Sequence, residues 1–471
     1  MSFDPPDRPV SQLASLVPNQ SLTHFDRFEL EEGAVLKQVP VAYKTWGKLN
    51  DAKDNVMIIC HALSGSADVE DWWGPLMGAN KAFDPSRYFI YCGNVIGSPY
   101  GTVSPVSVNP DTGKLYGPEF PLSTVRDDVR LHKRVLDTLG VRSVAAVIGG
   151  SMGGMQTLEW GMTYGSPYIR AVIPIATSVR HSAWCISWGE AQRQSIYSDP
   201  AYYDGFYYEH PDARERAGPI SGLGAARMAA MLTYRSRDSF EARFGRKPQL
   251  GQAGRKLSSA GAGAAEETTS NDSHSSPSRP SSPADDARSV HNDGSLRSRS
   301  NSSMPRPKNI FTAQSYLRYQ GDKFTSRFDA NCYIHLTRKM DTHDIAREFN
   351  LTSDGSRERP SDLSIEDALK LLPKNILVIG IESDGLFTPH EQHQIATAPN
   401  AKLAMIPSPD GHDGFLLEFE AINEYVVDFL KESLPEVYAA APLLNLDEIK
   451  SFDTQKTSVF GEAEANDITA W

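Results

Sequence analysis

Short runs of apolar residues recur along the chain, and they have the length and continuity of strands buried on both faces. Six such runs occupy residues 56–60, 88–91, 144–148, 172–175, 376–381 and 403–406. Between the second and third runs, residues 124–140 carry apolar side chains at helical spacing, with Thr124 as an N-cap and Gly140 as a stop. Strands that alternate with helices predict an α/β fold, in which a mostly parallel sheet is covered by helices on both faces.

This alternation stops between about residues 178 and 339, where aromatic residues are frequent but the pattern predicts no buried strand. We interpret residues 179–340 as a helical cap inserted into the sheet domain. The core then comprises residues 1–178 and 341–435, and a C-terminal tail follows at 436–471.

Within the cap, residues 251–310 contain fifteen serines, no Phe, Trp or Tyr, and only five residues of the Val, Ile, Leu and Met types. Such a segment buries too little apolar surface to offset the entropy lost on ordering it. We therefore predict a disordered Ser-rich insertion at about 251–308.

The overall composition excludes several classes of protein. The 471 residues are 40% hydrophobic, enough for a sizeable core, and the net charge of −12 argues against nucleic acid as a partner. The four cysteines, Cys60, Cys92, Cys185 and Cys332, lack the spacing of a disulfide framework or a zinc site. This spacing leads us to expect no bound metal. The N-terminal residues lack a secretory pattern and the chain has no run of about eighteen apolar residues, so we expect a cytoplasmic protein with no membrane span.

The segment VAAVIGGSMGGMQTLEW is the strongest chemical signal. A buried-type strand leads into Gly149-Gly150-Ser151-Met152-Gly153, and a helical pattern begins directly afterwards. This is the G-x-S-x-G motif in the strand, turn and helix context of a nucleophile elbow. Glycines flank the serine because strand and helix approach closely there, so the pattern predicts Ser151 as a catalytic nucleophile.

A serine nucleophile needs a base and an acid, which follow it in the order acid then histidine in this type of fold. Asp384 lies just past the strand in NILVIGIESDG, and His412 lies on the loop SPDGHDG after the next strand. Asp410 and Asp413 are weaker candidates for the acid because they are so close to His412 in sequence. His61 is a weaker candidate for the base because it precedes the serine.

An oxyanion hole requires two backbone N–H groups beside the nucleophile. One is expected from Met152, directly after Ser151, and the other from the loop that follows an earlier strand. That loop begins HALSGS, which makes the N–H near Leu63 our candidate for the second donor.

Five segments carry a resemblance to a known family: HALSGSADVEDWW, GNVIGSPYGTVSPVSVNPDTGKLYG, GGSMGGMQTLEW, RFDANCYIHLTRKMDTHD and SPDGHDGF. Together they resemble the homoserine O-acetyltransferase family of α/β-hydrolase-fold acyltransferases, over about residues 30–430 apart from the Ser-rich insertion. The resemblance implies transfer of the acetyl group from acetyl-CoA to L-homoserine, a step of methionine biosynthesis, with no bound cofactor. It also implies a homodimer formed through the cap helices.

Carried onto this chain, the resemblance implies Ser151 as nucleophile, Asp384 as acid, His412 as base, and Leu63 and Met152 as oxyanion donors. It further implies that Arg227 and Asp413 contact the amino-acid substrate, with Tyr234 close by. A guanidinium can hold a carboxylate with two bonds, and a carboxylate beside the base can hold an ammonium group.

Three other functions remain open from the sequence. The same triad could acetylate L-serine or another alcohol such as a deacetylated cephalosporin. It could also act as a plain esterase if water reached the acyl-enzyme, since exclusion of water separates the two outcomes. A binding protein without catalysis is disfavoured because the complete triad is present.

Overall fold

The computed structural model describes residues 11–209, 218–247, 283–292, 311–350, 354–445 and 448–449. Their central feature is one eight-stranded sheet with strand order β1-β2-β4-β3-β5-β6-β7-β8. The strands are β1 (Ser21–Glu29), β2 (Val35–Trp46), β3 (Val56–Cys60), β4 (Phe89–Gly93), β5 (Val144–Gly150), β6 (Ala171–Ile175), β7 (Asn375–Ile381) and β8 (Ala401–Ile406).

The six strands from β3 to β8 are those predicted from the apolar runs, and they pair with one another in parallel. The first two strands were not predicted. They form an antiparallel hairpin whose second strand pairs antiparallel with β4. Most residues of β1 are exposed or half-buried, so its sequence lacks the continuous apolar run of a central strand.

The helices within the described residues follow in chain order, with short 3₁₀ turns between some of them. They are α1 (Val69–Trp73), α2 (Val125–Thr138), α3 (Met152–Thr163), α4 (Gly165–Tyr168), α5 (Ala183–Tyr197), α6 (Ile220–Tyr234), α7 (Arg237–Arg243), α8 (Pro283–His291), α9 (Thr312–Thr325), α10 (Ala330–Asp341), α11 (Ile365–Leu369), α12 (Pro389–Ile395), α13 (Gly414–Leu417), α14 (Phe419–Ser433) and α15 (Pro435–Ala439). Each helix in these ranges is too short or too polar to cross a membrane.

Both faces of the sheet are buried, as successive residues of β3 demonstrate. Ile58 belongs to a hydrophobic cluster that includes Val129 of α2, whereas Ile59 belongs to a second cluster that includes Val426 of α14. Because successive side chains of a strand point to opposite faces, helices cover both sides of the sheet. The predicted N-cap also holds, since the Thr124 side chain accepts a hydrogen bond from the Asp127 N–H in a reciprocal capping box.

The segment predicted as a cap contains helices α5 to α10, and its described residues form no strand of the sheet. Most of the predicted disordered insertion lies outside the described residues. Residues 283–292 are described, and there the structure differs from the prediction because 283–291 form helix α8. Proline at its first position and basic residues in its last turn favour a helix, whatever the serine content around it. The C-terminal tail also begins within structure, because helix α15 covers residues 435–439.

A buried ion-pair network joins the core helices to the chain that returns from the cap. Glu159 of α3 lies 2.6 Å from the Arg359 guanidinium and 3.4 Å from Arg126 of α2. Burial alone would raise the pKa of the Glu159 carboxyl, but these two guanidinium groups hold that pKa well below its usual range. Because these groups are buried, losing one partner would leave a buried charge without its counter-ion.

Buried histidines make the folded state sensitive to acid. His132 of α2 bonds the Tyr91 hydroxyl at 2.9 Å, and its burial, aided by the nearby His61, lowers its pKa to about 3. Between this value and the ordinary pKa of about 6.5, the unfolded chain takes up a proton at this position that the folded chain does not. The folded state therefore loses stability as the pH falls through this window.

We expect His132→Asn, which keeps an acceptor for Tyr91, to weaken this pH dependence. Its free energy of unfolding, measured in urea at several pH values, should fall less steeply between pH 6.5 and 4 than that of the unaltered chain. The slope should differ by up to about 1.4 kcal/mol per pH unit. The exposed residue His24 offers a control, since His24→Asn should leave the slope unchanged. Parallel slopes for the His132 variant would contradict this assignment.

Candidate active site

Ser151 occupies the sharp turn between β5 and α3. Its backbone has φ 59° and ψ −124°, a conformation that residues with a side chain rarely adopt. The strained turn is held by neighbours in the sheet, because the Ser151 N–H donates to Ile175 O at 3.0 Å and the Thr177 hydroxyl donates to Ser151 O at 2.8 Å. This is the geometry of a nucleophile elbow, as the sequence motif predicts.

The glycines around Ser151 are required by contacts between backbones. A Cβ at Gly153 would lie 2.1 Å from the carbonyl oxygen of Cys60, and one at Gly149 would lie 2.4 Å from the Gly153 carbonyl oxygen. Helix α3 therefore starts in direct contact with the end of β3. The same contact sets the position of the loop that begins at His61, which carries the predicted oxyanion donor Leu63.

His412 lies in a 3₁₀ turn after β8, and Asp384 follows β7. The Nδ1 atom of His412 lies 2.7 Å from Oδ2 of Asp384, although the two residues are 28 positions apart in sequence. The other oxygen of Asp384 accepts the backbone N–H groups of Leu386 at 2.9 Å and Phe387 at 3.0 Å. Because a carboxylate only accepts hydrogen bonds, this contact assigns the proton to Nδ1 of the neutral imidazole and leaves Nε2 as the basic nitrogen.

Ser151 and His412 line one pocket of about 470 Å³, a volume that includes the space at its mouth. Leu63, Tyr234 and Asp413 line it too, so the structure brings these predicted site residues together. The remaining lining residues are Ala62, Ser64, Gly65, Trp72, Phe415 and Leu416. In the part of the chain that the structure describes, no group of three or more His, Cys, Asp or Glu side chains is arranged to hold a metal ion.

The weaker candidates for acid and base have other partners. Asp410 accepts hydrogen bonds from Arg235 at 2.9 Å and from the Ser239 hydroxyl at 2.6 Å. His61 is buried, with Nδ1 2.8 Å from the Ala62 carbonyl and Nε2 accepting the Val95 N–H at 3.2 Å. Burial lowers the pKa of His61 to about 4, so it stays neutral while it holds the loop.

The predicted oxyanion donors come from two elements that touch. Met152 is the first residue of α3 and is fully buried, and Leu63 lies on the loop after β3. Arg327 of the cap reinforces this loop by donating a hydrogen bond to Ser64 O at 3.0 Å. Arg327 was not among the residues predicted from the sequence, because its contact joins positions 263 residues apart.

The predicted substrate-contact residues occupy two positions relative to the pocket. Tyr234 and Asp413 line it, whereas the guanidinium of Arg227 lies 5.4 Å from the Tyr234 ring centroid and 4.7 Å from that of Phe324. Arg227 is only 1% exposed. It therefore stands next to the pocket wall at Tyr234, on the same face of helix α6.

Two further residues at the site were not identified from the sequence. Trp72 lines the pocket, and its indole N–H donates to Ser66 O at 3.0 Å. Its presence in the segment HALSGSADVEDWW was the available signal. Arg235 forms an ion pair with Asp413 at 2.8 Å. Nothing in its local sequence separates this arginine from an ordinary surface residue, because its partners come from a distant loop.

Comparison with known proteins agrees with this architecture. A family model described as alpha/beta hydrolase fold matches residues 55–419. The homoserine O-acetyltransferase of Cryptococcus neoformans var. grubii is 52% identical, over 97% of this chain and 97% of that protein. The homoserine O-acetyltransferase of Saccharomyces cerevisiae is 48% identical, over 98% of this chain and 96% of that protein.

The chain belongs to the homoserine O-acetyltransferase family. This confirms the family resemblance and the α/β-hydrolase fold class predicted from the sequence. A crystal structure of the homoserine O-acetyltransferase from Bacillus anthracis has the same fold, with a TM-score of 0.66 and 21% identity, covering 88% of this chain and 97% of that one.

In this homoserine O-acetyltransferase family member, we expect Gly153→Ala to be strongly destabilising. The new Cβ would press on the backbone of Cys60, which cannot yield without moving β3 and the loop after it. Thermal or urea unfolding should reveal a loss of about 2 to 4 kcal/mol, together with reduced activity. Gly189→Ala in helix α5 is the matched control, because the nearest atom to its Cβ is the flexible end of Arg193 at 3.3 Å. Equal stability of the two variants would refute the close contact.

Proposed function

We propose that this chain transfers the acetyl group of acetyl-CoA to the hydroxyl of L-homoserine through an acetyl-enzyme on Ser151, a step of methionine biosynthesis. One structural observation carries the proposal. Ser151, on a strained elbow, shares a pocket with His412, whose Nδ1 is 2.7 Å from the carboxylate of Asp384. Near full-length relatives at about 50% identity, named homoserine O-acetyltransferases, support the choice of donor and acceptor.

In the first half-reaction, His412 Nε2 takes the proton of the Ser151 hydroxyl as Oγ attacks the thioester carbonyl of acetyl-CoA. The negative charge that develops on the carbonyl oxygen is stabilised by the backbone N–H groups of Leu63 and Met152. As the intermediate collapses, the C–S bond breaks and His412 gives its proton to the departing thiolate. Asp384 holds the imidazole in the required tautomer throughout.

In the second half-reaction, the hydroxyl of homoserine attacks the acetyl carbonyl and passes its proton to His412. The bond to Ser151 Oγ then breaks, and His412 returns the proton to the serine. We assign the substrate carboxylate to Arg227 and its ammonium group to Asp413, with Tyr234 packing beside them. Binding of these two charged groups by residues of opposite charge would orient the substrate hydroxyl toward the acetyl group.

The proposal includes a homodimer formed through the cap helices. Trp184 of α5 is 54% exposed and Leu232 of α6 is 51% exposed, so both helices present large apolar side chains at the surface. Burial of such side chains favours association.

The alternative acceptors and the esterase reaction use the same triad. Incubation with acetyl-CoA and a panel of alcohols, following thiol release with and without each acceptor, separates them. Thiol release that depends on homoserine supports the proposal. Faster release with L-serine, or release that no acceptor accelerates, would favour one of the alternatives.

We expect Ser151→Ala to abolish the acetyl-enzyme and reduce turnover by about 10⁴-fold or more, because the triad residues act as a unit. Mass spectrometry of the unaltered chain with acetyl-CoA alone should detect one added acetyl group on Ser151. Ser195→Ala is a suitable control, since this exposed hydroxyl bonds the Ala191 carbonyl within α5. Turnover that persists without acetylation of Ser151 would exclude this mechanism.

We expect Arg227→Ala to damage the second half-reaction and to leave acetylation of Ser151 by acetyl-CoA nearly intact. Because the variant loses a bidentate contact between charged groups in a partly desolvated site, we expect kcat/KM for homoserine to fall about 30- to 1,000-fold. Stopped-flow measurement of each half-reaction tests this. Acceptors without a carboxylate should lose far less, and an equal loss for such acceptors would mean that Arg227 maintains structure and does not bind substrate.

A further inference from the structure

The loop that carries His412 rests directly on the cap. Gly411 has φ +70°, and a Cβ there would lie 2.5 Å from Ser236 N and 2.8 Å from Arg235 C. The Ser236 hydroxyl also donates to the carbonyl of Pro409. The residues that join α6 to α7 therefore support the loop 409–413 through backbone contacts, independently of any charged side chain.

Arg235 adds a charged connection between the same two segments. Its Nη1 donates to Asp410 Oδ1 at 2.9 Å, and its Nε lies 2.8 Å from Asp413 Oδ2. The arginine side chain is 3% exposed and that of Asp413 is 4% exposed, so solvent screens their interaction little. One guanidinium thus contacts an aspartate on each side of His412, and of these two aspartates Asp413 lines the pocket.

His412 itself has separate support from the sheet domain. Asp384 holds Nδ1 at 2.7 Å, and the ring centroids of Phe387 and Phe415 lie 5.3 Å and 5.1 Å from that of the imidazole. The Asp413 carboxylate, in contrast, pairs with a cap residue. Removing the Arg235 guanidinium should therefore disturb the Asp413 carboxylate more than the imidazole beside it.

We propose that Arg235 is a positioning residue for the acceptor: it fixes the Asp413 carboxylate at the pocket in the orientation that binds the acceptor's ammonium group. This inference rests on the proposed function, which assigns the ammonium group to Asp413. Without the guanidinium, Asp413 can rotate about its side-chain bonds, and the negative charges of Asp410 and Asp413 lose the cation that lies between them. Acetylation of Ser151 by acetyl-CoA does not involve the acceptor's ammonium group, so it requires neither the orientation nor the charge of the Asp413 carboxylate.

The test is Arg235→Met, which keeps the length of the side chain and removes its charge, with the two half-reactions measured separately. We expect acetylation of Ser151 by acetyl-CoA to change less than about threefold, whereas kcat/KM for transfer to homoserine falls about 30- to 100-fold, chiefly through KM. For 4-hydroxybutanoate, which has the hydroxyl and carboxylate but no amine, the loss should stay below about fivefold. Arg237→Met is the control, because this neighbouring arginine has an 81% exposed side chain.

A double-mutant cycle with Asp413→Asn gives a second readout. If Arg235 acts through Asp413, adding Arg235→Met to Asp413→Asn should lower transfer to homoserine by less than about threefold further. Losses that multiply independently would overturn the proposal. Equal slowing of both half-reactions, or equal losses for homoserine and 4-hydroxybutanoate, would also overturn it, because Arg235 would then only hold the loop.

Arg235→Lys covers the case in which the methionine variant does not fold. Lysine keeps the charge but cannot contact both aspartates with a planar fork, so we expect a smaller loss that is again confined to homoserine transfer. Unchanged transfer in this variant would count against the proposal. The unaltered chain is measured first: if it forms no acetyl-enzyme or does not use homoserine, the proposed function fails, whatever Arg235 does.

Discussion

The contact between the start of helix α3 and the end of strand β3 is the constraint on which the site depends. Because Gly153 has no side chain, its backbone can lie against the carbonyl of Cys60. This approach fixes the strained turn at Ser151 and the beginning of the loop that carries Leu63. The proposed nucleophile and both proposed oxyanion donors therefore depend on one backbone contact within a buried sheet, which hydrogen bonds from Thr177 and Arg327 reinforce.

The sheet domain and the predicted cap supply different residues of the site. The sheet supplies the proposed proton-transfer pair, because Asp384 and His412 follow β7 and β8 and bond each other at 2.7 Å. The predicted cap supplies Tyr234, which lines the pocket, and also Arg227 and Arg235, which contact the pocket residues Tyr234 and Asp413. The buried pairs of Glu159 with Arg126 and Arg359 tie the chain that follows the cap to the core helices.

The fold was predictable where burial makes the sequence pattern simple. Strands β3 to β7 are almost wholly buried and appear as apolar runs. Strand β8 is only partly buried, but its last residues, 403–406, are apolar and were predicted too. Thr124 marks the start of α2 because its side chain caps the helix. Strand β1 was missed because it lies at the edge of the sheet and is mostly exposed or half-buried, which dilutes its apolar pattern. Helix α8 was missed because its nine residues lie within a much longer serine-rich segment, whose composition hides the helical signal.

The sequence by itself determined the elements whose cause is local: the elbow at Ser151, the glycines beside it, and the order in which nucleophile, acid and histidine follow the strands. Tertiary structure alone decided the contacts that had no signal in the sequence. The chain order already favoured Asp384 over Asp410 as the partner of His412, but nothing local indicated that Arg235 reaches Asp410 from 175 positions away. The physical reason is that such contacts depend on how cap and sheet pack, and no local propensity or spacing encodes the distance between two surfaces that are far apart along the chain.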